Sequence, residues 1–251
     1  MRNIRLLIAY DGTAYAGWQR QAAGLPTIQG VLEEKISLMT KAPVVLHGAG
    51  RTDAGVHALG MVANFHTLCF IPCAGFLKGL NCLLPADIRI RQVDEVDADF
   101  QARFAAQGKV YAYQFLCAPL ILPHQRLYYA HIPFQLDLAL MESALASLVG
   151  EHDFASFEAA GSRDTSRSGG RGAVRRITTA RLQRQGDGWA MLIHGDGFLR
   201  HMVRNIAGTV FEVGQGKRSL EEFIETLAAK DRSQAGMTAP AQGLFLVEVI
   251  Y

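Results

Sequence analysis

A glycine-rich segment, HGAGRTDAGVHALG at residues 47–60, places an arginine and an aspartate two positions apart, Arg51 and Asp53. The small neighbours Gly50 and Ala54 allow a substrate to approach the carboxylate closely. A carboxylate presented in this way can act as a nucleophile or as a general base. An aspartate in such a segment can also be a simple turn former that bonds its own backbone, and the segment alone leaves this alternative open.

Other chemistries fit the same segment poorly. A dinucleotide fingerprint that starts at Gly48 needs a third glycine where Asp53 stands, and a Walker loop that starts at Gly50 lacks the lysine and hydroxyl residue that must follow. The nearby histidines lack metal-site spacing, and the four cysteines form no Cys-x-x-C pair, so we expect structural histidines and buried free thiols. A glycosidase uses two cooperating carboxylates, whereas the motif has one. No metal and no cofactor are predicted.

The amino-acid composition limits the classes of protein to which the chain can belong. The 251 residues are 49% hydrophobic and 19% charged, which is enough for one large core or two small ones and excludes a disordered chain. The net charge is only +2, so an acidic partner such as a nucleic acid must be bound by a local patch. The longest uncharged stretch contains glycines, histidines and a proline, so no membrane span is predicted. The N-terminus shows no targeting pattern, and we expect a cytoplasmic protein.

Apolar spacing predicts the elements that position the segment. Alternation predicts a first strand over Ile4–Tyr10, and a nearly continuous apolar, β-prone run predicts a central last strand over Leu244–Tyr251. Thr27 is expected to cap the first helix, and Ser219 with Glu222 to form a capping box on the last. Further strands are predicted over 44–46, 61–65, 88–93 and 110–116, and further helices over 72–84, 138–148 and 203–213. Residues 47–60 are expected to form a loop because they contain many glycines. Strands and helices do not alternate strictly, which indicates an α+β fold.

Residues 161–184 form the most basic segment of the chain. Seven arginines, at positions 163, 167, 171, 175, 176, 181 and 184, face one acid, Asp164, which gives a local net charge of +6. We expect a basic loop. Arginine without lysine, spaced by glycine and serine, suits phosphate contacts, although a merely solvated surface loop is the alternative.

The motif GRTDAGVHA resembles the catalytic loop of the family of tRNA pseudouridine synthases that modify the anticodon stem-loop at positions 38 to 40. Further segments resemble that family's motifs and follow in the same order over nearly the whole chain: YDGTAYAGWQRQ, TIQGVLEE, FQARFAA, KVYAY, GFLRHMVRNIAGTV and DRSQAGMTAPAQGLFL. The resemblance implies an isomerase that converts uridine to pseudouridine. This reaction exchanges the N1–C1′ bond for a C5–C1′ bond without net redox change or a group donor, so it needs no cofactor.

The resemblance also implies a fold and an assembly. The expected pseudouridine synthase fold has two α/β halves with mostly antiparallel sheets that meet at a central cleft. Residues 1–105 would form the half with the catalytic aspartate loop, and residues 106–251 the half with the tyrosine and arginine motifs. The implied partners are the tRNA anticodon stem-loop and a second copy of the chain in a homodimer.

The site residues follow from matching this sequence to the family's motifs. Asp53 would be the nucleophile or ribose base, and Arg204 would pair with it and keep it ionised. Arg51 would hold the splayed-out nucleotide through its phosphate, Tyr111 would stack on the flipped base, and Leu244 would contact the uracil. From the residues alone, Tyr111 and Leu244 could equally be core residues, and Arg204 could cap its own helix or lie on the surface. Tyr113 is expected to serve packing.

Two further expectations concern RNA binding. Arg163, Arg167, Arg171, Arg175 and Arg200 are predicted to contact the RNA backbone. The chain departs from the family pattern around residues 157–174, which are longer and richer in arginine, and at Met237, where a proline is expected. A non-catalytic RNA-binding module or RNA chaperone on the same scaffold, with Asp53 only shaping its loop, is the alternative function.

Overall fold

A computed structural model describes residues 1–21, 24–162 and 171–251. The described chain divides into two compact units, one made of Met1–Gln107 with Phe245–Tyr251 and the other of Gly108–Leu244. Each unit combines helices with a mostly antiparallel set of strands, so the predicted α+β class is confirmed.

The regular elements are numbered in chain order. The helices are α1 (Ile28–Thr40), α2 (Cys73–Leu83), α3 (Leu138–Ala146), α4 (Met202–Gly214) and α5 (Leu220–Ala229). The strands are β1 (Arg2–Tyr10), β2 (His47–Gly48), β3 (His57–Thr67), β4 (Ile88–Val96), β5 (Gly108–Cys117), β6 (Ala130–Ile132), β7 (Gly150–Asp153), β8 (Val174–Gln185), β9 (Gly188–Gly195) and β10 (Leu244–Ile250).

In the first unit, β1 is the strand around which the sheet is built. It pairs antiparallel with β3 on one side and with β4 on the other, and β3 also pairs antiparallel with β2 and parallel with β10. Ile4, Leu6 and Ile8 are fully buried, as the alternation along β1 predicts. Helix α1 begins where expected, with Thr27 Oγ1 accepting the N–H of Gly30 at 3.2 Å.

In the second unit, β5 pairs antiparallel with β9 and parallel with β6, and the ladder continues from β9 through β8 to β7. Helix α4 buries ten of its thirteen residues. Phe211 of this helix packs its ring against Tyr113 and Phe115 of β5, at centroid distances of 5.9 and 5.1 Å. The helix is therefore part of the core of the unit.

Outside residues 47–60, three sequence expectations about local structure are wrong. Residues 44–46 are not a strand, because side chains of α1 pair with the backbone of Leu46. Arg175, Arg176, Arg181 and Arg184 lie on β8 and not in a loop, since β8 pairs with β7 and β9 on both sides. The cysteines are not buried: Cys82 is exposed and the other three are half-buried.

No helix within the described ranges is long and apolar enough to cross a membrane.

The capping box of α5 gives a prediction for stability. Ser219 Oγ accepts the N–H of Glu222, and the Glu222 carboxylate accepts the N–H of Ser219. We expect Ser219→Ala to lower the free energy of unfolding by about 1 kcal/mol. Urea denaturation followed by circular dichroism measures this, with Ser143→Ala on the exposed side of α3 as the control. An equal loss in both variants would contradict a specific capping role.

Candidate active site

The segment that carries Asp53 connects β2 to β3. Its first two residues belong to β2, and His57 to Gly60 belong to β3, so the expectation that residues 47–60 are entirely loop is wrong. The reason is the pairing of β3 with β1, which extends as far as Ala58 opposite Tyr10. Within this segment, only residues 49–56 are outside regular structure. The aspartate therefore lies on a short connection with a strand at each end.

Thr52, the residue before Asp53, is held on two sides. Its carbonyl accepts the N–H of Trp18 at 3.0 Å, and its Oγ1 lies 2.8 Å from the hydroxyl of Tyr10 in a buried hydrogen bond. The N–H of Val56 then donates to the carbonyl of Asp53 at 3.2 Å and closes the turn. The backbone on each side of the aspartate is thereby fixed.

Two glycines of the motif YDGTAYAGWQRQ allow the backbone of residues 11–18 to contact this connection. A Cβ at Gly12 would lie 2.0 Å from the carbonyl oxygen of Val56, and one at Gly17 would lie 2.6 Å from that of Thr52. Gly17 also has a φ of +95°, which side-chain-bearing residues rarely adopt. No other residue fits at either position without moving backbone.

Helix α1 positions the start of the segment. The amide of Gln29 donates to the carbonyl of Leu46 at 3.0 Å, and the N–H of Leu46 donates to Glu33 at 3.0 Å. Glu33 is buried, and a nitrogen of the exposed Arg20 guanidinium lies 3.2 Å from its second oxygen. Gln29 and Glu33 of the motif TIQGVLEE thereby hold the residue that precedes β2, and Arg20 of the motif GWQRQ contacts Glu33.

His57 has a structural position, as expected for the histidines. It is 1% exposed, stacks on Phe245 at 4.6 Å, and accepts the N–H of Gly12 at Nδ1. The same nitrogen lies 3.2 Å from a carboxylate oxygen of Asp11.

Asp53 itself is half-buried, while its neighbours Arg51 and Ala54 are exposed. The connection thus carries a half-buried aspartate between two exposed positions. Within the part of the chain that the structure describes, no group of three or more His, Cys, Asp or Glu side chains could hold a metal ion.

Tyr111 and Tyr113 occupy different environments on β5. Tyr111 is 8% exposed, and its ring meets that of Phe198 edge to face at 4.9 Å. Tyr113 is fully buried and donates its hydroxyl to the carbonyl of Pro240 at 2.8 Å. Burial raises the pKa of Tyr113 well above the ordinary value for tyrosine, against a smaller lowering by Arg204. Tyr113 therefore has the packing role expected for it.

Arg204 lies half-buried on α4 and bonds outside its own helix. Its Nε donates to the carbonyl of Ala239 at 2.8 Å, and the N–H of Ala239 donates back to the Arg204 carbonyl at 3.0 Å. One turn further on, a Cβ at Gly208 would lie 1.8 Å from the carbonyl oxygen of Met237. The motifs around α4 and residues 231–243 are thus in direct backbone contact, and Met237 itself is 82% exposed.

Leu244 follows this segment as the first residue of β10 and is 6% exposed. The sequence-predicted site residues are therefore divided between the units: Arg51 and Asp53 lie in the first, and Tyr111, Arg204 and Leu244 lie in the second. Sequence reasoning missed Tyr10, Thr52 and Trp18 as supports of the Asp53 loop. The sequence marks Tyr10 as the end of a strand and as the first residue of the motif YDGTAYAGWQRQ, and neither pattern indicates a contact with Thr52.

The predicted RNA-contacting arginines differ in their surroundings. Arg163 and Arg167 lie outside the described residues. Arg171 pairs with Asp196, and Arg175 donates to the carbonyls of Gly172 and Val174. Arg200 is exposed in the turn before α4.

Comparison with known proteins gives the family. A family model described as tRNA pseudouridine synthase matches residues 6–105 and 144–251. The tRNA pseudouridine synthase A 1 of Desulfotalea psychrophila is 52% identical over 252 residues, which cover 100% of both chains. The tRNA pseudouridine synthase A of Geobacter sp. strain M21 is 48% identical over 100% of this chain and 99% of the relative, and that of Lacticaseibacillus casei is 43% identical over 100% of both.

An α+β fold that presents an aspartate loop, matched end to end by these relatives, defines the chain as an RNA-modifying enzyme. It belongs to the tRNA pseudouridine synthase family, and its activity is the isomerisation of uridine to pseudouridine in tRNA.

Gly17 gives a prediction for the loop. Gly17→Ala adds both a strained φ and a clash with the Thr52 carbonyl, so we expect the free energy of unfolding to fall by about 3 kcal/mol. Gly24→Ala is the matched control, since Gly24 has a φ of +69° and a Cβ added there would meet nothing within 4 Å. It should lose only the strain energy, about 1 kcal/mol. Equal losses in urea denaturation would show that the contact with Thr52 contributes nothing.

Proposed function

We propose that this enzyme converts uridines at positions 38–40 of the tRNA anticodon stem-loop to pseudouridine, with Asp53 as the nucleophile or ribose base. The observation that carries the proposal is the Asp53 connection: a half-buried carboxylate with a fixed backbone on both sides and an exposed alanine beside it. A catalytic group needs this combination of rigid support and open approach. A residue that only shaped its loop would need the fixed backbone but not the exposed neighbour.

The other site residues are proposed to serve the flipped nucleotide. A uridine within a stem must leave the base stack before an enzyme can reach it. Tyr111 offers a ring held edge to face by Phe198, and Leu244 offers an apolar surface at the start of β10. Arg204, oriented by its hydrogen bond to the carbonyl of Ala239, is proposed to pair with the Asp53 carboxylate.

We further propose that the enzyme is a cytoplasmic homodimer that needs no cofactor. Arg51 and Arg200 are exposed, as residues that bind phosphate must be. Arg171 would have to exchange its partner Asp196 for a phosphate, so its contribution is proposed to be smaller.

Replacement of the aspartate tests its role. Asp53→Asn removes the nucleophile at constant size, and we expect the rate of pseudouridine formation to fall at least about 1,000-fold. The affinity for tRNA should stay within about threefold, because the substitution leaves the other contacts in place. Chromatography of digested tRNA and filter binding measure the two quantities. Asp99→Asn, at an exposed aspartate of the same unit, is the control.

Turnover by a folded Asp53→Asn protein at the rate of the control would assign the chemistry to another residue. A loss of tRNA binding equal to the loss of rate would instead favour the alternative function, in which Asp53 only shapes an RNA-binding loop.

The phosphate contacts are tested by salt dependence. We expect tRNA affinity to fall steeply with ionic strength, and Arg200→Gln to reduce the slope of log affinity against log salt by about 0.7 to 0.9 for one lost phosphate contact. Arg126→Gln, at an exposed arginine of the same unit, should leave the slope unchanged. Affinity that does not change between low and moderate salt would refute the electrostatic part of the proposal.

A further inference from the structure

The hydrogen bond between Tyr10 and Thr52 has no role in the chemistry assigned so far. Both side chains are buried, at 4% and 8% exposure, and their oxygen atoms lie 2.8 Å apart. A buried hydroxyl that loses its partner costs free energy, so this bond restrains the side-chain rotamer of Thr52. The next residue in the chain is Asp53. The restraint therefore acts one peptide unit from the residue that carries the carboxylate.

Tyr10 is a rigid support for this bond. It is the last residue of β1, where it pairs with Ala58 of β3 and with Ile88 of β4. Its ring also lies 6.1 Å from that of Trp18, whose N–H donates to the Thr52 carbonyl. Thr52 is thus fixed twice, once through its side chain and once through its backbone. A site supported by strands is held more accurately than one supported by loops.

We propose that Tyr10 and Thr52 form a positioning pair that sets the direction of the Asp53 carboxylate. The inference rests on the proposed function, in which Asp53 reacts with the flipped uridine. A reacting carboxylate oxygen must lie within about 3.5 Å of its target, and a displacement of about 1 Å can lower the rate 100-fold. The pair acts by holding the backbone that carries Asp53, and it takes no part in the bond changes of the uridine.

The test compares variants that remove or keep the hydroxyl groups. Thr52→Val removes one hydroxyl at nearly constant shape, Tyr10→Phe removes the other, and Thr52→Ser keeps it. We expect Thr52→Val and Tyr10→Phe each to lower the single-turnover rate on an anticodon stem-loop transcript by about 10- to 100-fold. Thr52→Ser should stay within about threefold of wild type, and the dissociation constant for the transcript should change by less than about threefold in every variant.

The double variant distinguishes a pair from two separate residues. If the two hydroxyl groups act as one unit, Tyr10→Phe should have no further effect on the rate once Thr52→Val is present. Multiplying losses would show that each residue acts alone, and they would overturn the proposal.

Tyr251→Phe separates positioning from general stability. Tyr251 belongs to the same unit, is half-buried, and donates its hydroxyl to the carbonyl of Ala102 at 2.8 Å, so its loss removes a comparable bond away from the Asp53 loop. We expect a lower melting temperature with an unchanged single-turnover rate. A rate loss equal to that of Tyr10→Phe would reduce the pair to a structural role. If Thr52→Val is unfolded at the assay temperature, the comparison of single-turnover rates between Tyr10→Phe and Tyr251→Phe tests the proposal.

Failure of this proposal and failure of the proposed function give different results. An inactive Asp53→Asn together with a fully active Thr52→Val would overturn the positioning pair and leave the nucleophile in place. A fully active Asp53→Asn would overturn the role of Asp53, and with it the reason for positioning that residue.

Discussion

The contact between two stretches of backbone, residues 12–18 and residues 52–56, is the constraint on which the candidate site depends. The eight residues 49–56 lie outside regular structure, so their peptide groups need partners from elsewhere in the chain before they can hold a carboxylate in place. Here the N–H of Trp18 and the hydroxyl of Tyr10 supply the partners, and glycines at 12 and 17 permit the close approach. The cost is that these positions tolerate no side chain.

The second unit also depends on close backbone contact at a glycine, combined with hydrogen bonds. Helix α4 approaches the carbonyl of Met237 through Gly208 and bonds Ala239 through both the backbone and the side chain of Arg204. Tyr113 of β5 then donates to the carbonyl of Pro240, shortly before the chain reaches Leu244. Residues separated by many positions in sequence thereby become one rigid support, and Arg204 is oriented by a bond made outside its helix.

Much of the fold could be predicted from apolar spacing and caps, because Ile4 to Tyr10, Thr27 and the Ser219 capping box act through local interactions. The errors have nonlocal causes. Side chains of α1, more than ten residues away in sequence, bond the backbone N–H and carbonyl of Leu46, so this residue does not pair with a strand. The arginine-rich residues of β8 form a strand because they pair with β7 on one side and with β9 on the other. The segment around Asp53 predicts a candidate nucleophile and by itself leaves a turn former open, whereas the bond that joins its neighbour Thr52 to Tyr10 spans 42 residues and has no local pattern.

Isomerisation of uridine at positions 38–40 of tRNA without a cofactor is the central proposal for this enzyme. Tritium release from tRNA labelled at uridine C5 tests it most directly, because joining C5 to the ribose expels that hydrogen. We expect release by the purified protein with no addition, in proportion to the number of uridines at positions 38–40, and none from a tRNA that has cytidine there. Release that persists from the cytidine-substituted tRNA, or no release from any tRNA that the folded protein binds, would contradict it.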